Sequence, residues 1–335
     1  MLLVRVMSDF LLSIIVPVYN SESTLLRCAK SLLLQKTREI QLIFINDAST
    51  DSSLEILQQI ETLAPERILV VDLNENHGPG SARNIGLEYS EGKYIGFVDS
   101  DDYVAGGMYD KLIRAAQVGN YDMVDCGFVD EANDRAILLT GREQRGELDS
   151  QQRSELIAEG GYLVTRIYNR ELILDNQIRF RDDTYMLEDI EIMTELLART
   201  KKLGAVEETL YYYTKSEGSL SKTWNYRRYV DSVANAMEAL SNLKNKLENY
   251  YELEDAIEFE MLHIYDIGIY AALADRRNDH TLDTLKELDR LRKIRSECVR
   301  PGYDNPYVKQ RISPESISRM RANDGDSEQL MNRFM

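Results

Sequence analysis

Between residues 12 and 98 the chain repeats one pattern: a mostly apolar run rich in β-branched residues, a polar stop, then apolar positions at helical spacing. The runs fall at 12–18, 40–45, 68–73 and 94–98, and each predicts a strand. Helices are predicted between them, at about 23–35, from a Ser52 cap through 63, and at about 80–90. Because the strands are continuously apolar, they read as a mostly parallel sheet covered by helices on both faces. A helix at 108–118 and a strand at 123–129 continue the pattern. The stretch 131–152 is polar and charged and reads as a surface excursion, and order resumes at 162–168. A helix then opens at Glu188-Asp189 and runs to Arg199, followed by a strand at 209–213.

From about 226 to 294 the period becomes helical throughout. The expected organisation is therefore an α/β domain over 1–221, a helical C-terminal region over 222–312 and a polar, loosely held tail over 313–335. Leu282, Leu285, Leu288, Leu291 and Ile294 recur at every third position, with Arg290, Arg292, Lys293 and Arg295 between them. Two readings stay open for this stripe: packing within the protein, or a basic face for a membrane or a partner.

The polar stops all lie at the carboxyl ends of the strands, where open α/β sheets bind ligands. They are Tyr19-Asn20, Asp47, Asn76 and Asp99-Ser100-Asp101-Asp102. The last places three carboxylates within four residues, and such crowding calls for a cation unless it is merely a solvated acidic turn. If the chain stays extended there, Asp99 and Asp101 share one side and Asp102 takes the other.

Composition narrows the chemistry. A formal net charge of −17 argues against a nucleic-acid-binding surface over most of the molecule. Three scattered cysteines and three histidines favour neither a disulfide framework nor an imidazole zinc site, so oxygen ligands are the expected metal donors. No run reaches the roughly twenty apolar residues that span a bilayer. The N-terminal segment has no cleavage pattern and Met7 is an equally good start, so a cytoplasmic protein is expected.

Four strings occur in order along this rim: SIIVPVYN, FINDASTD, NENHGPGSARNIGL and YIGFVDSDD. Together with RIYNRELI, IRF, LEDIEI and LYYYTKSEGSLS they resemble glycosyltransferase family 2, inverting enzymes of the GT-A fold, over about 12–221. The resemblance implies a GT-A domain, Rossmann-like with a mostly parallel sheet, carrying a helical appendage. It implies transfer of a hexose from a UDP-sugar to a hydroxyl of a glycan carried on lipid or protein, as in bacterial polysaccharide or glycoprotein-glycan synthesis.

The resemblance also assigns roles. Pro17 and Tyr19 would lie against the uracil base and Asp47 would accept its imide N–H; otherwise Asp47 is a turn or cap residue. Asn76 and Arg83 fall near the nucleotide, unless Arg83 only makes a salt bridge on its helix. Asp101 would hold Mn²⁺ or Mg²⁺, with Asp99 at the ribose or supporting the metal, Ser100 lining the donor site and Asp102 bracing the loop. Asp189 would be the general base, although a carboxylate in the first turn of a helix also suits the macrodipole. Ser219 and Ser221 match a segment that closes near the diphosphate, and Trp224 is either a sugar platform or a packing residue. The expected location is the cytoplasm or the inner face of the cell membrane, with a membrane or partner-glycosyltransferase contact through the C-terminal helices, or a homo-oligomer, left open. The rival readings are a non-catalytic nucleotide-sugar-binding scaffold and a sugar nucleotidyltransferase. The latter expects a glycine-rich basic loop where this chain has Val18-Tyr19-Asn20-Ser21-Glu22.

Overall fold

A computed structural model describes residues 10–138, 141, 144–184, 186–214, 225–278, 282–327 and 330. Ser219, Ser221 and Trp224 lie outside the described residues. The chain forms two compact units, the first comprising 1–148, 162–182 and 200–223, the second 149–161, 183–199 and 224–335.

In the first unit the predicted alternation is present. It runs β1 (Leu12–Val18), α1 (Leu25–Leu33), β2 (Ile40–Asn46), α2 (Ser53–Glu61), β3 (Ile68–Asp72), α3 (Pro79–Glu88) and β4 (Tyr94–Phe97). The chain continues with β5 (Tyr103–Val104), α4 (Met108–Gly119), β6 (Met123–Asp130), β7 (Arg135–Ile137) and β8 (Gly146–Glu147). After α5 (Ser150–Glu159), which belongs to the other unit, come β9 (Arg166–Asn169) and α6 (Arg170–Leu174). The helix α7 (Glu188–Arg199) again belongs to the second unit, and the long strand β10 (Lys202–Tyr213) closes the first.

The strand order is β3-β2-β1-β4-β9-β6-β10-β5, with β7 on β6 and β8 on β10. The pairs β3-β2, β2-β1 and β1-β4 are parallel, as continuous apolar strands require. Beyond β4 the sheet is mixed: β9 runs antiparallel to both β4 and β6, and β5 antiparallel to β10. The stretch expected to be a surface excursion thus contributes β7 and β8, short antiparallel additions to the sheet.

Burial explains why the parallel half forms. Every residue of β2 is buried, and all of β1 except Pro17. Two fine points depart from expectation. Ser52 precedes α2 but its side chain makes no capping bond; Asp51 Oδ1 instead accepts from the Ser53 amide at 3.0 Å. Gly86 on α3 lies so close to β1 that a Cβ there would stand 2.3 Å from Ile15 Cγ2. A larger residue would lift the helix.

The second unit is helical. Besides α5 and α7 it has α8 (Tyr226–Asn242), α9 (Tyr250–Asn278), α10 (Thr284–Cys298), α11 (Pro306–Arg311) and α12 (Pro314–Asn323). The boundary expected at 221/222 is contiguous in sequence, whereas this unit draws in two segments from within 1–221. The leucine stripe of α10 is used for packing, with Leu288 and Leu291 fully buried. Its arginines are spent internally, Arg290 on Asp231 at 2.6 Å and Arg295 on Asp324 at 3.2 Å. Within the stretch expected to be a loose tail, Pro314–Asn323 form α12, which Ser313 caps and to which Tyr303 Oη donates at the Met320 carbonyl, 3.0 Å away. No helix among the described residues is long and apolar enough to cross a membrane.

Candidate functional site

The carboxyl ends of β1 and β2 carry the first candidates. Pro17 is half-buried at the end of β1, and Tyr19 is 49 % exposed. Asn20 has φ 48°, and its Oδ1 accepts from the Thr50 amide at 2.8 Å, which ties the loop after β1 to the loop after β2. Asp47 follows β2 directly and is buried. Its Oδ1 accepts from the His77 amide and its Oδ2 from the Gly78 amide, each at 2.8 Å. The Asn76 side chain donates to the Asp47 carbonyl at 3.2 Å, and Asn76 itself is exposed.

Asp47 therefore organises the start of α3 and not a turn of its own loop. The backbone there needs Gly78, whose φ is +86°, and Pro79 opens the helix without an orphaned amide. That geometry fixes Arg83 one turn along α3. Arg83 is 5 % exposed, and its Nη2 donates to Asp99 Oδ1 at 2.8 Å. Its guanidinium also sits over the Phe180 ring at 5.5 Å from the centroid. Asn84 exchanges two hydrogen bonds with the Phe180 backbone, at 2.8 and 2.9 Å, and so pins that aromatic beside α3. Arg83 is no surface salt bridge within its own helix; it links α3 to the end of β4.

After Val98 the chain turns, and the Asp102 amide donates to the Asp99 carbonyl at 3.0 Å. The extended alternation assumed for the carboxylates does not hold, because an i to i+3 bond folds the segment. The turn sends each carboxylate to a different partner. Asp99 meets Arg83 and stays partly open, its side chain 35 % exposed. The Ser100 hydroxyl lies 2.7 Å from that of Ser21, and the Thr24 hydroxyl donates to the Ser100 carbonyl at 3.1 Å. Asp101 is half-buried, and its carbonyl accepts from Arg27 Nη2 at 2.7 Å and from the Thr214 hydroxyl. Asp102 is fully buried, accepting from Tyr211 Oη at 2.6 Å and from the Thr214 amide at 2.7 Å. Burial, together with the nearby Asp99 charge, pushes the Asp102 carboxyl up to about 8.

Three supporting residues escaped the sequence reading: Arg27, Tyr211 and Thr214. Tyr211 carried a weak sign, since it lies in the triple tyrosine of β10. Its hydroxyl also accepts from the Asp99 amide at 3.3 Å, so one side chain fastens both ends of the acidic turn. Nothing in sequence marks Arg27 apart from any cation on an exposed helix face.

Asp189 stands in the second unit, half-buried in the first turn of α7 beside Glu188. Leu187, immediately before α7, has φ 64°, a left-handed conformation in which a branched side chain is strained. His77, on the loop before α3, is exposed, with Nε2 3.7 Å from Glu75, and behaves as a loop residue.

Residues 13–173 match the family model described as Glycosyl transferase family 2. The chain is 31 % identical over 265 residues to the uncharacterized glycosyltransferase EpsJ of Bacillus subtilis (strain 168), covering 76 % of this chain and 74 % of that protein. It is 29 % identical to the uncharacterized glycosyltransferase YibD of Escherichia coli (strain K12), over 76 % of this chain and 78 % of that one. Among solved structures, S. aureus TarS 1–349 in complex with UDP-GlcNAc matches with a TM-score of 0.69 at 21 % identity, over 93 % of this chain and 88 % of the other. That likeness extends the shared GT-A architecture, a central sheet with flanking and C-terminal helices, over nearly the whole chain. With the ordered motifs on one strand rim and a relative of this similarity and coverage, the chain belongs to glycosyl transferase family 2 and is a glycosyltransferase.

Proposed function

We propose that this glycosyltransferase moves a hexose from a UDP-sugar to a hydroxyl of a glycan on lipid or protein, with inversion at the anomeric carbon. The observation that carries the reading is the convergence on one sheet edge of Asp47, the Arg83–Asp99 pair and the turn bearing Asp101. In support, TarS, 27 % identical to this chain, is named a poly(ribitol-phosphate) beta-N-acetylglucosaminyltransferase, and its structure has been solved with UDP-GlcNAc and with UDP.

In this reading Pro17 and Tyr19 offer an apolar surface to the base. Each Asp47 oxygen takes one backbone amide and keeps acceptor capacity for the imide N–H. Asn76 and Arg83 approach the nucleotide, with Arg83 neutralising Asp99 beside the ribose, and Ser100 lines the donor site.

The acidic turn fits a hard divalent ion, Mn²⁺ or Mg²⁺. The carboxylates that would hold it are Asp101 and Asp99, the latter also paired with Arg83, while Asp102 is committed to Tyr211 and Thr214. Among the described residues no three metal-ligating side chains converge, as is usual where diphosphate oxygens complete the shell. When bound, such an ion supplies charge neutralisation for the departing nucleoside diphosphate. One solved neighbour, a Pyrobaculum calidifontis mannosyltransferase with a TM-score of 0.56, was crystallised with GDP-Man and Mn²⁺.

Asp189 acts as general base: its carboxylate takes the proton of the acceptor hydroxyl as that oxygen attacks the anomeric carbon and the C1–O bond to the diphosphate breaks. A place at the inner face of the cell membrane completes the reading. The test is mass-spectrometric: incubation with Mn²⁺ and a panel of UDP-sugars should consume one donor. Asp189→Asn should lower that turnover by about a hundredfold or more while leaving UDP affinity unchanged. Unaltered turnover in this variant removes Asp189 from the role.

A further inference from the structure

The solvent side of α1 carries a surface that the transfer reaction does not use. From Ser23 through Arg38 the chain has four cations, Arg27, Lys30, Lys36 and Arg38, and no carboxylate, in a molecule of net charge −17. All four are exposed. Arg27 is engaged with the Asp101 carbonyl, but Lys30, Lys36 and Arg38 form no ion pair among the described residues. Asp110, the carboxylate bonded to this stretch, is occupied by the amides of Lys36 and Thr37 at 3.2 and 2.9 Å and by the Thr37 hydroxyl.

Apolar side chains stand among these cations. Leu26 is 48 % exposed and Leu34 is 75 % exposed, one on each side of Lys30 at helical spacing. Together with Tyr103 and Val104 they border an open groove of about 580 Å³. Helical surfaces usually turn leucines inward, and α1 does so with Leu25 and Leu32, both fully buried. Leu26 and Leu34 have no such partner to explain them.

We propose that α1 and the loop that follows it dock on an anionic lipid bilayer, with Leu26 and Leu34 entering the headgroup region and Lys30 of α1 and Lys36 and Arg38 of the loop meeting lipid phosphates. The charge pattern selects that occupant. Each cation near an anionic surface adds roughly 1 kcal/mol, and carboxylates more than about 8 Å away are screened at physiological salt; Glu22 and Glu39 flank the strip and the acidic turn adjoins its Arg27 end, so the attraction rests on Lys30, Lys36 and Arg38. Lys30 lies between the leucines, where its alkyl stem follows the apolar side chains and its ammonium reaches the phosphate layer. A protein partner would need acidic groups and apolar pockets in register with this strip; a bilayer supplies both without register. The proposal deepens the peripheral placement given above. Its consequence is geometric: Arg27 both lines the groove and holds the Asp101 carbonyl, so the bilayer lies against the loop carrying the acidic turn.

Sedimentation of the full chain with vesicles tests this without reference to transfer. The wild type should pellet with phosphatidylcholine vesicles containing about a third phosphatidylglycerol, and should stay in solution with phosphatidylcholine alone. Lys30→Glu combined with Leu34→Ser should weaken that binding by about tenfold or more, as should Lys36→Glu with Arg38→Glu. Leu63→Ser, at an equally prominent leucine on the far end of α2's turn, should bind as the wild type does. These positions are exposed, and an unchanged melting temperature confirms that each variant is folded. Equal binding by the wild type and both double variants overturns the proposal, as does absence of wild-type binding to the anionic vesicles. A wild-type dimer in light scattering that the Lys30/Leu34 variant disperses also overturns it, giving the face to a second copy of this chain.

Discussion

Asp102 shows how one side chain can have a role opposite to its neighbours'. It is the third acid of an acidic cluster, yet burial holds it up to about 8, and both its oxygens are taken by Tyr211 and Thr214. An amide keeps the shape but offers one acceptor where Asp102 uses two. Asp102→Asn should lose about 1–2 kcal/mol in urea unfolding, because its Nδ2 cannot accept from Tyr211 or Thr214, whereas Asp102→Ala should lose about 2–4 kcal/mol by orphaning both a buried hydroxyl and a buried amide. If Asn proves as damaging as Ala, the brace needs both acceptor oxygens at once. The cluster was legible in sequence; its division of labour was not, since Asp102 and Tyr211 are 109 positions apart.

At the scale of elements, α3 is positioned from both ends. Asp47 grips its start through two backbone amides, and Gly86 lets it lie against Ile15 of β1. Gly86→Ala should destabilise the protein by about 1–3 kcal/mol in equilibrium unfolding, because Ile15 is fully buried and has no room to retreat. A loss below that range would mean that α3 shifts freely, and Arg83 with it. In α9 a different constraint operates. Burial raises Glu260 to about 7 from an ordinary 4.5, against the opposing pull of Arg311. The folded state therefore binds the proton more tightly than the unfolded chain, so this residue's contribution to stability is lost as pH rises from about 4.5 to 7. Glu260→Gln should flatten the melting temperature over that window and raise it above pH 7, as read by a pH series of thermal scans.

The whole molecule is built of two units whose segments interleave along the chain. Cutting after residue 221, where the hydrophobic period changes, would strand α5 and α7 without the helices they pack on. Leu156, Ile157, Ile192, Met193, Leu196 and Leu197 are all buried within the helical unit and would be bared. A 1–221 fragment should therefore bind a hydrophobic dye and aggregate on size exclusion, while the full chain does neither. A monodisperse, dye-free fragment would show that α5 and α7 find other cover.

Sequence alone determined the parallel half of the sheet and the rim on which the candidate residues stand. A strand buried on both faces must be apolar throughout, and the polar residues that stop it mark its carboxyl end; both are local facts written in consecutive positions. The motif order likewise pointed to the family. Only the tertiary structure decided which partner each residue takes. Arg83 could have paired along its helix but reaches Asp99, and Asp47 could have capped its own turn but holds α3. The α10 arginines Arg290 and Arg295, written like a basic surface, are spent on Asp231 and Asp324, whereas Lys30 of α1, written like any helix cation, forms no ion pair among the described residues. Periodicity reports which side of an element is apolar; it does not report what lies opposite, and that choice is made by contacts distant in sequence.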